Sequence, residues 1–256
     1  MSEPGHGPEE TDRGLVRMTL MEHLAELRRR LIIAVIAVAV GTIAAFFLYN
    51  HILHFITHPY RQSLRRHHID GPGGGRLVVL GPLEGFTTRL KVSGYVGLAM
   101  ALPVVLWEIW RFVTPGLHKS EKRYAIPFIF ASILLFAMGC AVSILVWPKA
   151  LDFLISVSGS DVAPFFSPSR YVGLYVLACL AFGLTFEFPV LLVALELTGV
   201  LSSRKLRNWR RPAIVAIAVI AAVATPSNDP FSFLAMGVPL YFFYEVAIVI
   251  GRILKK

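Results

Sequence analysis

Residues 107–123 read WEIWRFVTPGLHKSEKR and stand between two long apolar runs. The stretch brings together aromatic residues, a Pro115-Gly116 break, four Lys or Arg and the carboxylate Glu121. The runs on either side hold about 20 apolar residues each, enough to cross a bilayer as a helix. The polar stretch then reads as a loop at one membrane face, and as half of a recognition surface.

Composition supports that reading. Of 256 residues, 55% are hydrophobic and 16% charged, and the mean hydropathy is +0.65. A soluble domain holds about a quarter charged residues. The net charge of +9 matches a nucleic-acid binder superficially, but in a membrane chain Lys and Arg first report topology. No nucleic-acid partner is expected. Cys140 and Cys179 both fall inside apolar runs, so no disulfide framework is expected. The opening MSEPGHGPEETDRG is polar and acidic, unlike a signal or transit peptide.

Outward from the central stretch, six apolar segments emerge: 31–49, 83–106, 125–147, 171–198, 212–224 and 231–250. Residues 1–17 are expected to be disordered, 18–250 to form one six-helix membrane domain, and 251–256 a basic tail. Leu20, Leu24, Leu27 and Leu31 follow three-four spacing, which predicts a short amphipathic surface helix before the first span. Residues 50–82 read as a long extramembrane segment broken by Pro59 and by Gly71-Pro-Gly-Gly-Gly75, and 148–169 as a second outer loop. The fourth span is longer than needed and is expected to tilt or kink at Pro189. The fifth, with 13 apolar residues, reaches only roughly 20 Å as a helix. Residues 225–230, TPSNDP, form a compact turn.

Seventeen Lys and Arg fall on the side of the termini and six on the other, leaving Arg89 and Lys91 near a helix end. The positive-inside bias therefore puts both termini in the cytoplasm.

Glu187 is the sharpest candidate for chemistry. It sits mid-span in FGLTFEFP, residues 182–189, where a carboxylate costs several kcal/mol unless paired, protonated or hydrated. It reads as a polar point facing a groove, against the plainer reading of a packing residue bonded to a neighbouring hydroxyl. Asp229 precedes Pro230 and suits a helix cap. Glu196 and Glu245 lie at the ends of spans and are expected to face headgroups. His51, His54 and His58 share a helical face but lack a matching carboxylate or Cys, so a wet interfacial helix is favoured over metal. Gly71–Gly75 lacks the ending of a phosphate-binding loop. No catalytic triad, metal cluster or nucleotide fingerprint appears, so neither an enzyme nor a cofactor is expected. On the cytoplasmic face, Glu26 and Glu121 belong to membrane-proximal elements and are candidates to converge on a cation.

Those residues carry a resemblance. HLAELRRRL at 23–31, Pro59, WRFVTPGLHKSE at 110–121, FGLTFEFP at 182–189 and Thr225-Pro226 with Asp229 resemble the TatC family of twin-arginine protein translocases. The resemblance implies an all-α, cup-like membrane protein of six helices, N-in and C-in, with the last two short. It implies a bacterial inner-membrane receptor for the twin-arginine signal peptides of folded precursors. Glu26 and Glu121 would contact the arginine pair, Phe112, Pro115 and Leu117 would shape that surface, and Arg28 and Lys119 would flank it. Glu187 would face the intramembrane groove, while Pro59 and Asp229 would lie on the periplasmic side. TatA- and TatB-type single-span subunits, membrane lipids and further copies of the chain are the implied partners, with the proton-motive force driving export. Glu108 stands where an uncharged residue is expected, and Phe233 where some members carry Gln. A proton-coupled transporter using Glu187 is the competing reading; it lacks the internal repeat that such folds show.

Overall fold

In the computed structural model, residues 20–69, 75–113, 125–159, 164–197 and 199–254 are described. They form nine helices and no strand. These are α1 (Leu20–Phe47), α2 (Tyr49–Arg66), α3 (Glu84–Val113), α4 (Ala125–Val157), α5 (Pro168–Thr185), α6 (Phe188–Leu197), α7 (Ser203–Asn208), α8 (Arg210–Ala224) and α9 (Pro230–Leu254). Five segments are long and apolar enough to cross a membrane: α1, α3, α4, α5 with α6, and α9.

Several boundaries depart from the sequence reading, each for a physical reason. The expected surface helix is the first third of α1, not a separate element. Its leucine spacing runs unbroken into the apolar segment, and no proline interrupts it. Residues 50–66 are helical, and Pro59 lies inside α2 instead of breaking it. A proline there forfeits one backbone hydrogen bond, but α2 buries Ile56, Thr57, Tyr60, Ser63 and Leu64 along one side. Pro148 is likewise internal to α4, which runs ten residues past Trp147 to Val157. Trp147, Ala150, Leu151 and Ile155 are all buried, and that packing carries the helix beyond the proline.

α3 extends through Trp107–Val113, so the first seven residues of the central stretch are helix, not loop. The fourth span divides at Phe186 and Glu187, just before Pro189. The basic segment after it contains α7, capped by Ser202, whose Oγ accepts from Lys205 N–H at 3.2 Å. Of the two closing helices expected to be short, α8 is short, with 15 residues, roughly 22 Å at the helical rise. α9 is not. It has 25 residues and absorbs most of the expected tail.

α1 lies along α3 at a close crossing. A Cβ on Gly41 would stand 2.5 Å from the Gly97 carbonyl oxygen, so neither position admits a side chain. In lipid, where apolar surface gains little from burial between helices, such close backbone approach supplies the packing. The interior has two parts. One, around Tyr60, Trp147, Tyr171 and Tyr175, joins α2, α3, α4 and α5. The other, around Phe182, Phe186, Met236 and Leu240, joins α5, α6, α8 and α9. Alternation of the helices puts the starts of α1, α4 and α8 with the ends of α3, α6 and α9. We call this the near end, and the opposite one the far end.

Candidate functional site

At the near end, α1 and α3 bring charged residues together from distant parts of the chain. Glu26 and Arg30 are one helical turn apart on α1 and face the same way. Arg30 Nη2 donates to Glu26 Oε1, and its Nη1 donates to Glu108 Oε2 at 3.0 Å. One guanidinium thus bridges two carboxylates. Both ends of the longer contact are shielded: the Arg30 side chain is 14% exposed and that of Glu108 9%. The group lines an open pocket of about 340 Å³ with Ala25, Arg29, Ile33 and Arg111. Two carboxylates against three guanidiniums leave the pocket modestly cationic, with both carboxylates bonded to Arg30. His23 stacks on Phe112 beside it, with ring centroids 4.3 Å apart.

Of the predicted recognition residues, Glu26 and Phe112 therefore lie at this end. Arg28 is exposed and does not line the pocket. Glu121, Pro115, Leu117 and Lys119 fall in 114–124, outside the described residues.

Glu187 occupies the break between α5 and α6 and lines a groove of about 560 Å³. Its neighbours there are almost all apolar, among them Leu106, Leu184, Phe188, Leu191 and Ile220. A side-chain hydrogen bond joins it to Ser132 of α4, and Trp110 Nε1 donates to the Ser132 oxygen at 3.0 Å. Its Oε1 is buried without a hydrogen-bond partner among the described residues. Trp110 also stacks on Phe128, at 5.2 Å, so the near end of α3 is tied rigidly to α4.

The profile of the family described as "Sec-independent protein translocase protein (TatC)" matches residues 22–239. The chain belongs to the TatC family. Relatives bearing the name "Sec-independent protein translocase protein TatC" include one from Frankia casuarinae, 39% identical, with 92% of this chain and 66% of that protein covered. A relative from Koribacter versatilis is 36% identical, covering 90% and 84%, and one from Deinococcus radiodurans 34%, covering 94% and 88%. The fold agrees. A solved structure described as "Crystal Structure of Twin Arginine Translocase Receptor- TatC" superposes with a TM-score of 0.73 at 34% identity, covering 92% of this chain and all of that one. TatC proteins are translocase subunits, not enzymes, and family and apolar helices together place the chain in a bacterial inner membrane.

In this TatC chain two residues at the near end escape a reading of the sequence. Arg30 reads, with Arg28 and Arg29, as a topology marker, although its i, i+4 spacing from Glu26 is the signal that marks it. Glu108 reads as an extra charge in a loop. It is a buried helical residue paired with Arg30, and no local pattern announces a partner 78 positions away.

Other expectations fall differently. Glu196 does not face headgroups: it is fully buried, and a Cβ on Gly251 of α9 would lie 1.9 Å from its Oε2. Glu245 is partly exposed and pairs with Arg210 at 2.6 Å. Asp229 caps α9, its Oδ1 accepting from Ser232 N–H at 2.8 Å, and it also accepts from Ser227. Arg89 donates to the Phe46 carbonyl at 3.0 Å, closing the far end of α1. His51, His54 and His58 are exposed on α2, and no metal-binding group occurs among the described residues.

Proposed function

We propose that this protein is a receptor and core subunit of a twin-arginine translocase, and that its near-end pocket takes the arginine pair of a signal peptide. The observation that carries the reading is the bridge from Arg30 to Glu26 and Glu108. The pocket already holds a guanidinium between two carboxylates, so its geometry suits the group that defines the ligand. Guanidinium matches a carboxylate through two parallel hydrogen bonds, which a lysine ammonium does not reproduce. An incoming arginine competes with Arg30 for the same oxygens, which makes binding selective and reversible.

Glu121 is the second predicted carboxylate, with Phe112, Pro115 and Leu117 shaping the surface and Arg28 and Lys119 flanking it. The solved relative, itself described as a twin-arginine translocase receptor, supports this reading. The Lys and Arg bias favours a cytoplasmic near end with both termini inside, and Pro59 and Asp229 on the opposite face. TatA- and TatB-type subunits would dock along α8 and α9, self-association would complete the receptor, and the proton-motive force would drive transport. Glu187 serves a later step within the groove. A proton-coupled transporter is the weaker reading, because no second titratable side chain lines that groove among the described residues.

The test is capture of a twin-arginine precursor and of its Lys-Lys variant on the purified protein. Retention of the first and loss of the second is expected. Equal retention of both, or of neither, removes the receptor reading.

A further inference from the structure

A second pocket, at the far end, is built for an anion and lies apart from everything above. It encloses about 370 Å³ where α1 gives way to α2 and where α3 and α5 begin. Asn50, His54, Thr57 and Arg61 of α2 line it, together with Arg76 and Tyr49. The first four recur at helical spacing, so they form one face of α2 turned along the pocket. No carboxylate lines it among the described residues.

The cations there differ from their neighbours in having no internal partner among the described residues. Arg66 pairs with Asp152 at 2.7 Å. Arg89 is held by the Phe46 carbonyl and lies 4.2 Å over the Phe46 ring. Arg61 and Arg76 make no ion pair among the described residues. The Nε of Arg61 is buried without a hydrogen-bond partner, as is that of Arg89, but Arg89 has a backbone carbonyl for its Nη2 and Arg61 has no such partner among the described residues. A guanidinium donor removed from water and left unbonded costs free energy that a bound acceptor returns. The Thr57 hydroxyl is committed to the Leu53 carbonyl at 2.8 Å, so Arg61, Arg76, Asn50 and His54 are the available donors.

The surroundings identify the source of the anion. Phe47 and Leu80 are each 76% exposed, Leu83 is 72% exposed, and Phe55 and Val79 are more than half exposed. They adjoin the pocket along the chain, at the level where the apolar parts of α1 and α3 end. Cationic donors beside an exposed apolar rim, at the boundary of the hydrocarbon, match a phospholipid: phosphate among the arginines and acyl chains along the rim. We propose that this pocket binds the phosphate of an anionic phospholipid in the leaflet at the far end.

The test uses the full chain purified in detergent and reconstituted into nanodiscs of phosphatidylcholine, with or without phosphatidylglycerol. Native mass spectrometry after release counts the retained lipid, and thermal unfolding reports its effect. Phosphatidylglycerol should be retained in preference to phosphatidylcholine by about tenfold, the size of one charge-assisted contact. R61Q/R76Q should lose that preference, while R65Q, at an exposed neighbour outside the pocket, keeps it. Millimolar inorganic phosphate should leave the lipid in place. Equal retention of the two lipids, an unaltered preference in R61Q/R76Q, or displacement by inorganic phosphate alone overturns the proposal, the last by pointing to a free-anion site. If R61Q/R76Q fails to fold, N50D carries the test by placing a carboxylate in the pocket. It should abolish the preference, and its failure to do so is equally decisive against the site.

Discussion

Tyr60, Trp147 and Tyr171 at the far end and Glu26, Arg30 and Glu108 at the near end bond their polar atoms in opposite ways, and at the near end the Arg30 Nε is left buried without a partner among the described residues. The aromatic group is closed. Tyr60 donates to the Pro164 carbonyl at 3.2 Å, Trp147 to the Tyr171 oxygen at 3.1 Å and Tyr171 to the Ile56 carbonyl at 3.0 Å. All three rings are buried, and Tyr60 and Tyr171 sit 5.3 Å apart. Two of the three donors end on backbone carbonyls that belong to this chain, so no ligand can replace them without unfolding the site. At the near end the carboxylates of Glu26 and Glu108 are held by a charged side chain beside an open pocket, and under the proposed function an incoming guanidinium takes the place of Arg30. The aromatic group is organised to hold a shape, while the Glu26–Arg30–Glu108 group, on the proposed function, is organised to exchange a partner.

The largest effect expected from this contrast is on stability. Tyr60→Ala should cost about 3–5 kcal/mol, as for other buried aromatic truncations, seen as a lower unfolding midpoint in detergent and reduced abundance. Capture of a twin-arginine precursor, counted per folded molecule, should hardly change. If capture falls along with stability, the two ends are coupled and the contrast fails.

Glu26→Ala should do the reverse. A contact to a charged group is worth about 1.5–3 kcal/mol when partly desolvated, which weakens precursor capture by about ten- to a hundredfold. Arg30 keeps its second carboxylate, Glu108, when Glu26 is removed, so stability should fall by less than about 1 kcal/mol. A collapse in abundance would make Glu26 a structural residue.

Glu187 lies between these extremes and sharpens the line dividing them. Its support comes from the neutral Ser132 hydroxyl, not from a cation that a ligand replaces. Glu187→Gln retains a group able to bond Ser132 and removes an ionisable group from membrane depth. The fold should tolerate it and precursor capture should stay within about twofold, because an intramembrane carboxylate is kept for function more than for stability. A transport assay in vesicles should show the loss instead. Failure of initial capture in this variant would move Glu187 into the recognition site.

How much of this is legible in the sequence follows from the range of each interaction. Apolar runs report spans directly, and the 13-residue segment foretells a short α8. Asp before Pro foretells the cap on α9, because capping is local. The errors gather where tertiary packing overrides a local signal. Pro59 and Pro148 read as breaks, yet Tyr60 and Trp147, one residue away, are anchored in the core and α2 and α4 continue past both prolines. Glu196 reads as a headgroup-facing residue because nothing nearby in sequence reveals Gly251 packed on it. For the site, the acidic half at Glu26 is visible, while Glu108 needs the α1–α3 crossing to bring it within 3.0 Å of Arg30.

A smaller effect tests whether the far end behaves as one closed unit. Trp147→Phe keeps the ring packing against Tyr175, at 5.2 Å, and removes only the indole donor to Tyr171. The expected loss is about 0.5–1.5 kcal/mol, the net worth of one hydrogen bond. Because Tyr171 still donates to Ile56, the phenol does not become an orphan. A loss matching that of Tyr60→Ala would show that the three rings act as one cooperative network.

The smallest expected effect separates two arginines that sequence alone does not tell apart. Arg28 is exposed on α1 and Arg30 is shielded between two carboxylates. Arg28→Gln removes a cation that flanks the pocket without lining it, so its influence on an incoming basic peptide is long-range and repulsive. Capture should strengthen by about 0.5 kcal/mol or less at low salt, and the difference should vanish as the Debye length shrinks below the separation. Arg30→Gln, by contrast, frees both Glu26 and Glu108 within the pocket, and its effect should survive high salt because the groups are shielded from solvent. Titrating capture of the precursor against ionic strength for both variants distinguishes them. Equal salt dependence would mean that the bridge is only another surface pair, and that the near end owes its selectivity to residues 114–124 alone.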